Sequence, residues 1–191
     1  MDSSALQATQ HISIASRFCG PPNSGHGGYT SGLLAEQLTE PCSVTLRSPP
    51  PLDTPLTLGK TETGRVLLHH GKLLVAEAEP TTLPLEVPSP VSFQVAALAT
   101  HGFVGFRSHP YPTCFVCGPD RLDADGLGLY PGAVPGRKLV AAAWSPAADL
   151  CDRQGRVAQR YVWSALDCPA WYGYLAFSES KAPTLLGRMA S

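Results

Sequence analysis

The sequence carries no excess of charge of either sign. Lys and Arg number 14, Asp and Glu number 15, and the formal net charge is -1 over 191 residues. Binding nucleic acid through its phosphates requires a basic excess, so no nucleic-acid partner is expected. Charge is also scarce in total, at 15% of residues against about 25% in an average soluble domain. No long hydrophobic run is present. The most apolar stretch, residues 161–177, is short for a bilayer span and holds Asp167 and Pro169. It reads as a buried helix, and no membrane span is expected. The first eighteen residues lack the basic start and apolar core of a secretory signal. The expected location is therefore cytoplasmic. The six cysteines (19, 42, 114, 117, 151 and 168) then read as free thiols in a reducing compartment.

What is abundant is turn-forming residues, with 18 Gly and 19 Pro. With 43% hydrophobic residues the chain is nonetheless globular. Its pattern divides it into a first segment over 11–80, a Pro-punctuated connector over 81–112, and a second segment over 113–191. Residues 11–18 alternate like a strand. A loop of turn residues follows, in which Asn23 or Ser24 could cap a helix. Residues 29–38 have helical spacing in Tyr29, Leu33, Leu34 and Leu38, yet Gly28 and Gly32 leave one face almost bare. Such a helix has poor intrinsic propensity. It should depend on burial, with another element packed against its bare face.

Strands follow around Val44 and Leu56, and residues 65–78 read as a hairpin turning at His70-Gly71. In the connector, Ser89-Pro90 could cap a short helix through Ala99. Residues 127–134 and 139–144 are strand candidates, and 157–177 reads as a long apolar helix that Pro169 should kink or split.

Residues 18–35, from Phe18-Cys19-Gly20 through His26-Gly27-Gly28-Tyr29 to Leu34-Ala35, resemble the helix start of hotdog-fold thioesterases. Gly71-Lys72-Leu73-Leu74-Val75-Ala76-Glu77-Ala78 is similar to the closing strand of that fold. Residues 157–171 are similar to a second hotdog helix, and Cys114-Phe115-Val116-Cys117-Gly118 to the start of a second copy. The resemblance implies an α+β hotdog fold, an antiparallel sheet wrapped around a central helix, with a second, partial hotdog-like half. In the double form the second helix is followed by three or four strands, whereas fourteen residues follow Phe177 here. The second half is incomplete, the chain is a fragment, or its halves are arranged differently.

The resemblance further implies an acyl-thioester hydrolase acting on acyl-CoA or a related carrier, without a cofactor or metal, as a homo-oligomer. In the family, backbone N–H groups at a helix N-terminus hold the thioester carbonyl oxygen. Gly27 and Gly28 match those positions, with His26 alongside. The family's carboxylate position on the first helix is Ala35. Glu36 lies about 100° further round the helix and reads as a solvated charge. On the second helix the same frame places Arg160 at the second glycine position and Asp167 at the carboxylate position. One composite catalytic site is expected, Gly27 and Gly28 with Asp167. Substrate contacts are expected from His26, Asn23, Tyr29, Trp163 and Trp171. The alternative reading is a non-catalytic hotdog module that binds acyl ligands or serves assembly.

Cys114 and Cys117 have zinc-knuckle spacing, but no second pair at matching spacing appears. His109 or Cys151 could complete a site only through folding. Two thiols in a turn is the plainer reading, and no metal is expected.

Overall fold

A computed structural model describes residues 6–121, 125–179 and 184–191. The elements run in the order β1 (Gln7–Ile12), α1 (Gly27–Ala35), β2 (Cys42–Leu46), β3 (Leu56–Lys60), β4 (Val66–His70), β5 (Leu73–Pro80), α2 (Phe93–Thr100), β6 (Gly132–Ala133), β7 (Val140–Ala141), α3 (Gln159–Phe177) and β8 (Arg188–Ala190). The fold is α+β. Its main sheet has six antiparallel strands in the order β1-β3-β4-β5-β2-β8. The pair β6–β7 forms a separate ribbon of two strands.

The register explains how the sheet receives α1. Ala78 of β5 pairs with Val44 on one side and Val66 on the other, and Leu68 pairs with Leu58 and Ala76. All six side chains are buried. The two alanines on β5 remove bulk where α1 crosses it. The helix lies against β2, β4 and β5 with α3 on its other side. Every residue of α1 after Gly27 is buried. The expected burial of this weak helix is realised, since tertiary packing rather than propensity holds it.

Several boundaries differ from those the sequence suggested. The chain leaves the sheet after Ile12 and makes a 3-10 turn at Ser16–Phe18, so the strand does not extend to 18. The hairpin forms with Gly71 at φ 58°, a conformation that favours glycine in so tight a turn. Ser92 caps α2, accepting the Val95 N–H at 3.2 Å, and Ser89 does not. The strand candidate at 127–134 shrinks to two residues. Gly128 lies at φ 62°, and Gly132 presses so closely on the Ala99 carbonyl that no Cβ would fit. Helix α3 continues through Pro169 without splitting. Buried Trp163, Ser164, Cys168 and Tyr172 hold it on both sides of the missing N–H. Residues 188–190 carry no strand pattern of their own, yet β8 adds to the sheet on the outer edge of β2, pairing Ser43 with Ala190 and Thr45 with Arg188.

A single apolar core joins residues of the sheet, α1 and α3, and Phe115 is its largest fully buried side chain. Outside it, α3 leaves Val162, Leu166, Tyr174 and Phe177 exposed along one face. No helix among the described residues is long and apolar enough to cross a membrane.

Candidate functional site at the α1–α3 crossing

Helices α1 and α3 run antiparallel with their backbones in close contact. A Cβ on Gly28 would sit 2.6 Å from the Trp163 carbonyl oxygen, and one on Gly32 would overlap the Arg160 Cα. The bare face of α1 is thus the seat of α3. Only glycine admits this approach.

The close approach brings a carboxylate from each helix to the N-terminus of the other. Asp167 of α3 accepts the Gly28 N–H through Oδ2 at 2.8 Å. At the opposite end, Glu36 accepts the Arg160 N–H at 3.1 Å and the Arg160 guanidinium at 2.8 and 2.6 Å. Each contact satisfies a donor that a helix leaves unpaired and places a negative charge at the positive end of its dipole. Glu36 is therefore not a solvated surface charge. It is drawn in because Arg160 supplies a planar fork and a backbone N–H together. Burial pushes the Asp167 pKa above its ordinary value, against the opposing pull of His26 and the Gly28 N–H. A carboxyl so placed is a stronger base than a free carboxylate.

His26 is the N-cap of α1 in place of Asn23 or Ser24. Its Nδ1 accepts the Tyr29 N–H at 3.3 Å. Its Nε2 lies 3.3 Å from Cys168 Sγ and 3.6 Å from Asp167 Oδ2. Burial works against the charged ring, but the Cys114 thiolate and the Asp167 carboxylate outweigh it, so the pKa is raised. Protonation at Nδ1 would set that proton against the Tyr29 N–H. The neutral ring with its proton on Nε2 satisfies both ends.

Three thiols meet beside this ring. Cys114 Sγ is 3.9 Å from Cys168 Sγ. Cys117 interacts with both, and His109 Nε2 lies 3.3 Å from Cys117 Sγ. Hydrogen bonds from Cys117 and Cys168 pull the Cys114 thiol well below its usual range, and the same bonds push the other two up. Sequence spacing marked Cys114 and Cys117. It could not mark Cys168, which lies 54 residues from Cys114 and reaches it only through packing of α3.

Two cavities flank the N-terminus of α1, and Gly27 lines both. The inner one has about 70 Å³ of free space and is bordered by His26, Asp167, Trp171 and the three thiols. That is room for two or three water molecules at about 30 Å³ each. The outer one has about 230 Å³ and runs past Pro21, Arg47, Pro50, Leu185 and Leu186. Among the described residues the Gly27 N–H has no acceptor. Of the residues singled out in the sequence, the fold brings Gly27, Gly28, His26, Asp167 and Trp171 to this place. Asn23 is exposed in a left-handed turn at φ 60°. Tyr29 is buried in a stack on Phe18, with ring centroids 4.1 Å apart. Trp163 is buried against Gly32. None of these three lines either cavity.

No family model and no curated protein matches the chain. Among solved structures, the chain is similar to a conserved protein of unknown function with a hotdog fold from Alicyclobacillus acidocaldarius. The identity is 14% and the TM-score 0.35, over 48% of this chain and 44% of that one. The chain thus spans less than half the length of that protein.

Proposed function

We propose that the protein is a hotdog-type acyl-thioester hydrolase, with Asp167 as general base and Gly27 as the carbonyl-holding residue. The observation that carries this reading is the Asp167 carboxylate at the α1 N-terminus, on the wall of the inner cavity and beside Gly27, which lines both cavities. The Gly28 N–H and the His26 ring both face Oδ2, so Oδ1 is the oxygen offered to a water. The acyl-thioester lies in the outer cavity with its carbonyl oxygen on the Gly27 N–H, where the helix dipole favours developing negative charge. Asp167 takes a proton from water in the inner cavity as the water oxygen bonds to the carbonyl carbon. The tetrahedral intermediate collapses, the C–S bond breaks, and the thiolate takes that proton from Asp167. Products are a carboxylic acid and the free thiol of the carrier.

Acyl-CoA is the proposed substrate class. Trp171 borders the space in which the attacking water sits. The exposed face of α3 supports self-association as the working form, and we place the enzyme in the cytoplasm. The test is turnover of an acyl-CoA panel followed by release of free thiol, with Asp167→Asn alongside.

One observation favours a non-catalytic reading, a module that binds acyl ligands. The Gly28 N–H is already occupied by Asp167 and is not free for a carbonyl oxygen. Tight acyl-CoA binding without thiol release would select that reading.

A further inference from the structure

The cluster of Cys114, Cys117, Cys168 and His26 has more donor atoms than the hydrolase reading uses. These residues come from three places in the chain: the N-cap of α1, the turn at 114–118 and the middle of α3. The ligating atoms of His26, Cys114 and Cys168 all lie within 4.8 Å of one another, and all three residues are buried. Cys117 is also buried and interacts with Cys114 and Cys168. The remaining cysteines lie elsewhere. Cys19 points to the Thr113 carbonyl, Cys42 sits in β2, and Cys151 lies near the Ala147 carbonyl.

We propose that Cys114, Cys168 and His26 form a preassembled site for a thiophilic divalent cation, zinc being the best match, and that the neighbouring Cys117 closes in on the bound ion as the fourth, tetrahedral ligand. Zn–S bonds of about 2.3 Å and Zn–N bonds of about 2.0 Å at tetrahedral angles put sulfurs about 3.8 Å apart and sulfur about 3.5 Å from nitrogen. The structure has 3.9 Å between Cys114 and Cys168 sulfurs and 3.3 Å between Cys168 Sγ and His26 Nε2. Three soft thiolates and one imidazole select zinc over magnesium or calcium, which take oxygen ligands. The Cys114–Gly118 turn is built for a close pair of sulfurs. Gly118 donates its N–H to the Cys114 carbonyl at 2.9 Å, and a Cβ there would lie 2.5 Å from the Cys114 nitrogen.

Binding ionises the thiols that are still protonated and releases those protons to solvent. Coordination through Nε2 moves the His26 ring proton to Nδ1, so the long Tyr29 bond is given up. With four protein ligands the site is closed, which marks it as structural. It pins the start of α1 to α3 and holds Gly27 and Asp167, the chain neighbours of His26 and Cys168, in register. The proposal does not depend on thioester hydrolysis, and its test uses no substrate.

The experiment is metal analysis of the full chain purified under reductant without chelator, followed by cobalt(II) substitution. About one zinc per chain is expected. Cobalt should give the visible bands of a tetrahedral site and sulfur-to-metal charge transfer, both absent from the metal-free protein. Cys117→Ser and Cys168→Ser should weaken binding by more than about 100-fold, and Cys151→Ser should not change it. Adding zinc to stripped wild-type protein should raise Tm. Should either serine variant fail to fold, the wild-type cobalt spectrum decides alone, because charge transfer requires thiolate ligation. A reduced wild-type protein that holds no stoichiometric metal and gives no such spectrum overturns the proposal. So does undiminished cobalt binding in folded Cys117→Ser and Cys168→Ser proteins.

Discussion

Asp167 on α3 accepts the Gly28 N–H of α1 at 2.8 Å, although the two residues stand 139 positions apart. The contact joins the glycine N-terminus of α1 to a carboxylate in the middle of α3. Its counterpart, Glu36 on Arg160, closes the other end of the same crossing. The two carboxylates have different surroundings. Glu36 is neutralised by a guanidinium, whereas Asp167 faces a histidine, a backbone N–H and a cavity. That difference assigns Glu36 to holding the helices and Asp167 to chemistry.

Glu36→Gln should therefore lower stability and leave turnover nearly unchanged. The half-buried Arg160 fork loses its charged partner at a cost of about 1–2 kcal/mol, after discount for its exposure. Urea unfolding measures the loss. A change in thiol release as large as the change produced at Asp167 would refute the division of roles.

Gly28→Ala and Gly32→Ala should destabilise even though alanine is the better helix former by about 1 kcal/mol. Each Cβ meets the α3 backbone, at the Trp163 carbonyl and the Arg160 Cα, and backbone cannot rotate away. A net loss of about 1–3 kcal/mol per variant is expected in urea unfolding. Stability equal to or above that of the wild type would contradict the packing.

The raised pKa of Asp167 gives a pH dependence with a definite sign. Burial makes the folded protein hold this proton at a higher pH than the unfolded chain, whose carboxyl titrates near 3.8. This contribution to stability is complete below that value and is lost as pH rises through the folded pKa. Activity has the opposite slope, because the base must be ionised. The acid limb of kcat/KM should fall above the ordinary carboxylate value and vanish in the residual activity of Asp167→Asn. An acid limb at or below 3.8 would contradict the burial of the working base.

The apolar face of α3 predicts self-association. Val162, Leu166, Tyr174 and Phe177 are exposed together on one helix, a pattern that marks an interaction surface. Size exclusion with light scattering should show a dimer or higher form, and Leu166→Glu should shift it toward monomer. A wild-type monomer at micromolar concentration would contradict this.

Much of this arrangement was legible in the chain. Gly28 and Gly32 on a weak helix announced a close neighbour, and the hairpin at Gly71 was visible in its alternation. The single charge within 161–177 marked Asp167 for a special environment. What could not be read were contacts between distant positions. Nothing local to Glu36 signals Arg160, and nothing local to Cys168 signals Cys114. The three residues of β8 pair only because β2 offers a free edge, a property of the folded sheet. His26 was noted for its neighbours Gly27 and Gly28, but its cap role required the turn that raises Nδ1 to the Tyr29 N–H.

The most direct measurement is free-thiol release from a panel of acyl-CoAs of increasing chain length by wild type and by Asp167→Asn, with folding of both checked by circular dichroism. The account predicts turnover by the wild type on at least one acyl-CoA and a reduction of about 100-fold or more in the folded Asp167→Asn protein. No turnover by the wild type across the panel, or a folded Asp167→Asn protein with undiminished activity, would contradict it.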